Sequence, residues 1–508
     1  MNKGWAAALA SLLLCGCAVG PDFRRPAAPA VDRYAAEPVT VAAGTGAAAQ
    51  RFVRGGDIPA QWWRLFHSPQ LDALIAQALA NNPDLKAAQA ALAAARETAL
   101  AGRGAYYPAV SAGFSARRQQ DPPGALAPVP SSSASLYNLM SAQVSVSYAP
   151  DVFGLNRRTV ESLDAQAQAV RYQMLATDIA LSANVAVTAI QVASLREQVQ
   201  ATQELAGIDA HMLSIMRYQL AKGYVGRLDV AAQETQLAQV NASLAPLRAQ
   251  LAQQRHRLAV LAGRFPSEEP PDAFDLASLQ LPQDLPLSLP SALVAQRPDV
   301  LQAQASLHAA SAQVGVAIAN RLPNITLSAD VGSTALAMSQ LFKSGTGFWG
   351  LGAAVAAPVF EGGALRHQER AARAAYTQAA EQYRSTVLGA FQNVADTLVA
   401  LQQDAQAVQA TVAADDAAKV ALDLSQRRWK DGYAGYLSLL GAEQAALQAR
   451  IGLAQAQASR YADTVALFQA LGGGWWHRTD LAEGADAPPT TTTAPDAAAV
   501  NSRGNDEH

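Results

Sequence analysis

Cysteine is the residue with the clearest chemistry in this chain, and both cysteines stand within its first seventeen residues. Lys3 gives a charged start, and Trp5 to Leu14 form an apolar run too short to span a bilayer. Leu14-Cys15-Gly16-Cys17 then has the small-residue pattern of a bacterial lipobox. We therefore predict a lipoprotein signal peptide over residues 1–16, with a diacylglycerol and an N-acyl chain on Cys17. An ordinary cleaved signal or a short buried helix is the alternative.

The remainder of the chain offers no catalytic pattern. Seven histidines are scattered without a second ligand at metal spacing, and there is no nucleophile elbow, P-loop or dinucleotide fingerprint. A net charge of −3 with 16% charged residues does not indicate a nucleic-acid partner. We interpret Arg157-Arg158 and Arg427-Arg428 as solvated helix ends, and Trp62-Trp63 as packing residues. The sequence thus predicts neither an enzyme nor a metal or cofactor site beyond the lipid.

Two very long helices dominate the pattern. Residues 157–222 contain no proline and only one glycine, Gly207, and residues 363–430 are again proline-free and rich in alanine and glutamine. Apolar residues recur in steps of three, four and seven, at Leu181, Val185, Val192, Leu195 and Val199. At 1.5 Å per residue each helix would run about 100 Å, so these rods must pack side by side.

The two rods belong to an internal repeat. Four landmarks recur in the same order at spacings between 207 and 215 positions. They are Asn82-Pro83-Asp84-Leu85 with Arg297-Pro298-Asp299-Val300, Tyr107-Pro108 with Leu322-Pro323, Val152-Phe153 with Val359-Phe360, and Gly223-Tyr224 with Gly432-Tyr433. The chain is therefore predicted to be a tandem duplication.

The repeat sets the predicted domain boundaries. An extended, lipidated leader covers 17–58, the first repeat 59–264, a proline-rich irregular linker 265–290, the second repeat 291–474 and a disordered tail 475–508. Within the repeats we expect strands near 107–118, 138–150, 322–332 and 348–358, long helices over 157–222 and 363–430, and return helices over 228–261 and 437–471.

The predicted strands alternate strictly enough to suggest a membrane. Ile325, Leu327, Ala329 and Val331 alternate with polar residues, and the stretch from Met140 does the same. Period two over about ten residues, with aromatic residues near the strand ends, is typical of a transmembrane β-barrel, although a half-buried soluble sheet alternates equally well. No later segment has eighteen consecutive apolar residues, so no transmembrane helix is expected.

Four strands cannot close on themselves, and lipid does not tolerate unpaired strand edges. The strands must therefore join those of other copies. Two, three or four copies would give eight, twelve or sixteen strands, and because about eight strands are filled by their own side chains, a water path requires at least three copies.

These features together resemble the outer-membrane efflux channels of Gram-negative bacteria, the TolC-like family and its NodT-like lipoprotein branch. The residues that carry the resemblance are Cys17 to Phe23, Trp62-Trp63 with Phe66, Leu71 to Asp84, Tyr148 to Gly154, Arg297-Pro298-Asp299, Pro358 to Gly363 and Leu471 to Trp475. Ala18, in place of aspartate, also agrees with sorting of a lipoprotein to the outer membrane.

The resemblance implies a mainly α protomer with a small transmembrane β part. Its tandem repeats would give four strands to a trimeric twelve-stranded barrel and long helices to a periplasmic α-helical barrel. It further implies a homotrimer in outer-membrane lipid, docked to a periplasmic membrane-fusion adaptor and to an inner-membrane pump of the resistance-nodulation-division or major-facilitator type. Conduction would be passive, because the pump supplies the energy.

The glycine turns are the candidate site on this resemblance, as adaptor-docking and gate tips. Glycine also permits a tight reversal between two helices without any further role. The site residues are Lys222, Gly223, Tyr224, Gly226 and Asp229 in the first tip, and Asp431, Gly432, Tyr433, Gly435 and Tyr436 in the second.

The second tip departs from the family pattern. Relatives often carry acidic residues just after this turn, yet here the stretch from Ala434 to Gly441 has no carboxylate before Glu443. We therefore expect the closed mouth to be held by Tyr433 and Tyr436, and by a neighbourhood of charged residues that comprises Asp229, Arg217 and Arg427.

Two other classes of protein remain open. A periplasmic coiled-coil adaptor or scaffold lipoprotein without a pore would explain the rods, and a lipoprotein enzyme would explain only the anchor. The predicted pore lining of Ser, Gln, Asn, Thr and Gly indicates low selectivity and does not identify the exported compound.

Overall fold

The structure, a computed structural model, describes residues 18–34, 50–120, 136–268, 275–288 and 290–478. The predicted signal peptide 1–16, the lipidated Cys17 and the part of the predicted tail beyond residue 478 lie outside the described residues.

The first repeat opens with two helices and two strands. Strand β1 (Arg51–Arg54) precedes it in the leader. Its elements are a 3-10 helix (Trp62–Phe66), helices α1 (Pro69–Asn81) and α2 (Pro83–Arg103), strands β2 (Ala109–Gln120) and β3 (Leu136–Tyr148), and helices α3 (Leu155–Ala221) and α4 (Arg227–Leu261). Asn82 separates α1 from α2 because its side chain accepts hydrogen bonds from the backbone N–H of Asp84 at 2.9 Å and of Leu85 at 3.1 Å. Pro83 then occupies the first turn of α2, where no N–H is needed.

The second repeat copies the first. Strand β4 (Asp284–Leu287) precedes it in the linker. Its elements are helices α5 (Pro290–Gln296) and α6 (Pro298–Ala319), strands β5 (Asn324–Ala335) and β6 (Gly347–Ala356), and helices α7 (Ala364–Lys430) and α8 (Tyr436–Ala470). Helices α3 and α7 both have 67 residues, and α4 and α8 both have 35. The eight principal elements begin and end within three residues of the predicted bounds.

The predicted linker and tail are more ordered than the sequence indicated. β4 lies inside the proline-rich linker and pairs in parallel with β1, with Arg51 opposite Asp284. Trp475 begins a 3-10 helix, and its indole Nε1 donates to the Gln296 carbonyl at 2.8 Å, so the disorder predicted from residue 475 is wrong for residues 475–478. Four-residue elements are too short to show a period, and a distant partner stabilises each of them.

The larger sheet of the described residues has the order β2-β3-β5-β6, with every neighbouring pair antiparallel. Its register places apolar residues opposite apolar residues and polar residues opposite polar ones. Val144 lies opposite Ala112 and Val331, whereas Ser145 lies opposite Ser111 and Asp330. Residues that face each other across a ladder project to the same side of the sheet. One side is therefore apolar and the other polar, as the alternation predicted.

The long helices form the core of the rest of the protein. Within the described residues, only α3 has an 18-residue stretch apolar enough to cross a membrane, with a mean hydropathy of 1.4, and 67% of that stretch is buried inside the protein. Val185 and Ile190 at its centre are fully buried. Trp62 stacks on Phe468 of α8 with ring centroids 5.4 Å apart, which confirms a packing role for this tryptophan.

Candidate functional site

The first predicted tip is a tight reversal between α3 and α4. Gly223 adopts a left-handed φ of +80°. Its N–H donates to the Leu220 carbonyl at 3.0 Å, and the N–H of Tyr224 donates to the Gln219 carbonyl at 2.9 Å. This pair of bonds is the Schellman motif, which satisfies the last carbonyl groups of a helix.

The second tip, between α7 and α8, repeats this geometry bond for bond. Gly432 has a φ of +77°. Its N–H donates to the Trp429 carbonyl at 3.1 Å, and the N–H of Tyr433 donates to the Arg428 carbonyl at 2.8 Å. The two tips are therefore the same structural device in the two repeats.

Alanine at Gly223 or Gly432 is expected to destabilise each tip by about 1–2 kcal/mol, because a Cβ disfavours the left-handed region. Gly207 in the interior of α3 is a matched control. It has open space around it, and alanine there is expected to stabilise the protein by up to about 1 kcal/mol. Denaturant melts of the purified variants measure both effects. Equal effects at Gly207 and Gly223 would contradict the conformational explanation.

The two tips differ where the return helices begin. The carboxylate of Asp229 accepts a hydrogen bond from the N–H of Gly226 at 3.0 Å, which places negative charge at the N-terminus of α4. At the corresponding place in α8 stands Ser438, whose N–H donates to the Gly435 carbonyl at 3.1 Å. Asp229 thus supports the helix start in the first tip only.

The expected neighbourhood of charges around Asp229 does not form within one protomer. Arg217 pairs with Glu234 at 2.7 Å, and Arg427 pairs with Asp423 at 2.7 Å. Each arginine reaches a carboxylate on its own helix or the adjacent one, because those carboxylates lie on the same exposed face. Within one chain these two arginines therefore pair with other carboxylates, and the role of Asp229, Arg217 and Arg427 at the closed mouth stays a prediction.

The tip tyrosines divide into two kinds. Tyr224 and Tyr433 are each 79% exposed, at the outermost positions of the turns. Tyr436 is instead buried, and its hydroxyl donates to Oε1 of Gln233. Helices α3, α4, α7 and α8 surround it with an apolar cluster that includes Met216, Val230 and Leu439. Of these three tyrosines, Tyr224 and Tyr433 are therefore available to a partner.

A buried polar group next to this cluster gave no signal in the sequence. Asp209 of α3 and Glu443 of α8 are both buried, and the Gln233 amide donates to the carbonyl and the carboxylate of Asp209 at 2.9 and 3.2 Å. Burial, with the nearby Asp209 carboxylate, raises the pKa of Glu443 to about 7. Isolated carboxylates in long helices are usually solvated, so only packing could have identified this pair.

Arg158 also differs from the prediction of a solvated helix end. Its guanidinium donates to the Val19 carbonyl at 3.0 Å, to Asp22 at 2.7 Å and to Glu161 at 2.8 Å, and the side chain is buried. Gly315 of α6 leaves room for it, since a Cβ there would stand 2.8 Å from Cγ of Arg158. The start of the leader is thus clamped between α3 and α6.

The contacts of Arg158 with residues 19–22 form what we call the leader clamp. It ends beside the sheet. The N–H of Val19 donates to the Phe153 carbonyl at 3.1 Å, and Phe153 lies between β3 and α3. Ala18, the first described residue, approaches Gly154 so closely that a Cβ on that glycine would be 2.7 Å from its Cα. Ala18 therefore lies at the border between the strands and the rods.

The comparisons with known proteins agree on one class. The outer membrane efflux protein family model matches residues 74–264 and 289–473. The pyoverdine export outer membrane protein OpmQ of Pseudomonas putida is 32% identical over 422 residues, which cover 82% of this chain and 88% of OpmQ. The probable efflux pump outer membrane protein TtgC of Pseudomonas putida is 30% identical over 483 residues, which cover 94% and 96%.

A solved structure extends the likeness to the fold. The outer-membrane channel OprN matches with a TM-score of 0.78 and 28% identity over 90% of this chain and 100% of its own. The predicted fold class of the protomer is thereby confirmed: a mainly α tandem repeat with a small four-stranded β part and the long helices of an outer-membrane channel.

Proposed function

The chain belongs to the outer membrane efflux protein family, and we propose on this premise that its two glycine tips form the inner mouth of the channel, where a periplasmic adaptor docks. The protein is the outer-membrane channel of an efflux system, with a large periplasmic helical part. The exposed Tyr224 and Tyr433 support the proposal, because aromatic side chains at such matched positions suit a protein interface.

The proposal is carried by the occurrence, in one protomer, of two equivalent tips and of a sheet with one apolar and one polar side. The 67-residue helices α3 and α7 follow strands of the sheet, and the 35-residue helices α4 and α8 return from the tips. Both hairpins reverse through the same Schellman geometry. Such a protomer can line a path from the periplasm through the outer membrane. The channel itself conducts passively and without a catalytic step. The inner-membrane pump supplies the energy for transport.

We assign the working assembly as a homotrimer in outer-membrane lipid. Among the described strands, β2 and β6 are the edges of the sheet, and the antiparallel order lets β6 of one copy pair with β2 of the next. Trp349, Leu351 and Val355 of β6 are exposed on the apolar side, where acyl chains would cover them. The pump is of the resistance-nodulation-division or major-facilitator type.

We further propose that Cys17 carries the lipid. The leader clamp supports this, because it holds Ala18 at the border between the strands and the rods, where the inner leaflet of the membrane would lie. Acyl chains on the preceding residue would enter that leaflet directly. The mass of the mature N-terminal peptide checks the modification.

The cargo is proposed to be set by the pump. OpmQ is named for export of pyoverdine, whereas TtgC is named only as a probable efflux pump component. The polar side of the sheet offers small uncharged residues such as Ser111, Ser145 and Ser328, which suit many solutes.

The docking proposal is tested by a double variant, Tyr224→Asp with Tyr433→Asp, in the full chain. We expect adaptor-dependent export in cells to fall several-fold, because two charges per chain would oppose an apolar contact. Conductance of the purified channel in a planar bilayer should persist. Tyr376→Asp, on an exposed part of α7 far from the tips in sequence, is the matched control.

Two results would contradict the proposed function. Export unaffected by the double variant would remove the tips from the docking site. Recovery of the wild-type chain as a water-soluble, purely helical monomer without conductance would instead favour a periplasmic scaffold lipoprotein.

A further inference from the structure

Asp209 and Glu443 form an unusual pair for the inside of a helical bundle. Their side chains belong to residues that are 0% and 2% exposed, on α3 and α8 respectively. Oδ2 of Asp209 and Oε2 of Glu443 are buried without a hydrogen-bond partner among the described residues. A buried carboxylate in this state is strongly disfavoured as an anion, and a bound proton relieves the cost.

Within the described part of the chain, no cation is bonded to either carboxylate of the pair. The groups that face it are uncharged: the Gln233 amide from α4 and the Tyr436 hydroxyl from α8. Four cations on helices α3, α7 and α8 pair with other carboxylates. These pairs are Arg217 with Glu234, Arg450 with Glu204, Lys419 with Asp415, and Arg427 with Asp423.

The pair lies where it can influence the tips. Gln233, which binds Asp209, also accepts from Tyr436, and Tyr436 belongs to the apolar cluster that joins the two hairpins. The pair therefore links the first repeat to the second beside the apolar cluster of the two hairpins. Any separation of the hairpins at the mouth must change the surroundings of both carboxylates.

Building on the proposed channel function, we propose that Asp209 and Glu443 form a proton-binding site that holds one proton while the hairpins are packed and releases it as they part. The closed mouth is then tighter in a mildly acidic periplasm than in a mildly alkaline one.

The direction follows from linkage. Burial and the Asp209 carboxylate raise the pKa of Glu443 to about 7, and burial raises the pKa of Asp209 as well. In parted, hydrated hairpins both groups return towards ordinary pKa values near 4. The packed form thus binds more protons between about pH 4 and 7. The advantage of the packed form is fully present below about pH 4. It falls by up to about tenfold per pH unit above that and is lost as the pH rises through about 7.

The test uses the purified full-length channel in planar bilayers at pH 6 and pH 8.5. We expect the closed-state conductance of the wild type to rise at least several-fold at the higher pH. Glu443→Gln mimics the protonated acid and should abolish the rise. Asp404→Asn is the matched control, because the pKa of Asp404 is also raised to about 7, by burial and by Asp463, at a place away from the tip cluster. That variant should keep the wild-type response.

Hydrogen exchange keeps the proposal testable without conductance. Peptides over 205–216 and 436–446 should exchange faster in the wild type than in Glu443→Gln at pH 8.5, and equally at pH 6. If Glu443→Gln does not assemble, the carboxylic acid band in the infrared spectrum of Asp404→Asn, which lacks the other raised acid, should disappear between pH 6 and 8.5, and by a smaller amount when Asp209→Asn is added.

Parallel pH responses in the wild type and Glu443→Gln, or an infrared band that persists at pH 8.5, would overturn the proton-binding site. Failure of every variant, the wild type included, to conduct would instead count against the proposed channel, because hydrogen exchange does not depend on conduction.

Discussion

Arginine in place of Val144 is expected to prevent stable assembly in the outer membrane, whereas arginine in place of the adjacent Ser145 is expected to be tolerated. Val144 pairs with Ala112 and Val331 on the apolar side of the sheet, and Ser145 pairs with Asp330 on the polar side. A charge facing lipid near the bilayer midplane costs about 2–4 kcal/mol per chain, while a charge facing water in the lumen costs little. Three copies in one barrel multiply the penalty.

The fraction of trimer in outer-membrane extracts and the urea midpoint in lipid vesicles measure this contrast. The pair of variants is sharply matched, because the same side chain is added one residue apart and differs only in the side of the sheet that it occupies. Equal loss of trimer in both variants would mean that the sheet does not have one face in lipid and one in water. Tolerance of arginine at both positions would carry the same conclusion.

Removal of the Arg158 side chain is expected to be the most damaging change in the leader clamp. Arg158→Ala deletes three hydrogen bonds to residues 19–22 and leaves Glu161 without its buried guanidinium, at a cost of about 3 kcal/mol. Arg157→Ala is the matched control. Arg157 is 43% exposed, and its partner Asp151 retains bonds to the backbone, so the expected cost is below about 1 kcal/mol.

Trypsin provides a local measurement of the same effect. Arg24 and Arg25 follow the clamp directly and should be cleaved faster in Arg158→Ala than in the wild type or Arg157→Ala. Denaturant melts report the global cost. Arg158→Lys should recover only part of the loss, since an ammonium cannot replace the planar guanidinium fork. Cleavage rates that are the same in all three variants would contradict a clamp centred on Arg158.

Much of the architecture was predictable because it repeats. A helix of 67 residues reveals itself by the absence of proline and by apolar steps of three and four, and a strand such as β5 reveals itself by strict alternation. The glycines of both tips were visible because left-handed backbone conformation at a helix end favours glycine, as at Gly223 and Gly432. Duplication then gave each of these signals twice.

Features without a period could not be predicted. β1 and β4 are four residues each and gain their order from a partner more than two hundred positions away. Arg157 and Arg158 looked equivalent in the sequence, yet adjacent residues on a helix point in different directions, and only Arg158 points into the clamp.

The sequence by itself therefore determined the repeat, the rods, the two-faced strands and the glycine tips, because each depends on local backbone preference or on a regular pattern of burial. Only the tertiary structure decided which charged groups became buried and what they met. Asp209, Gln233 and Glu443 come from three helices. The pKa of Glu443 is raised because the packed helices exclude water from it, and no single stretch of sequence encodes that packing.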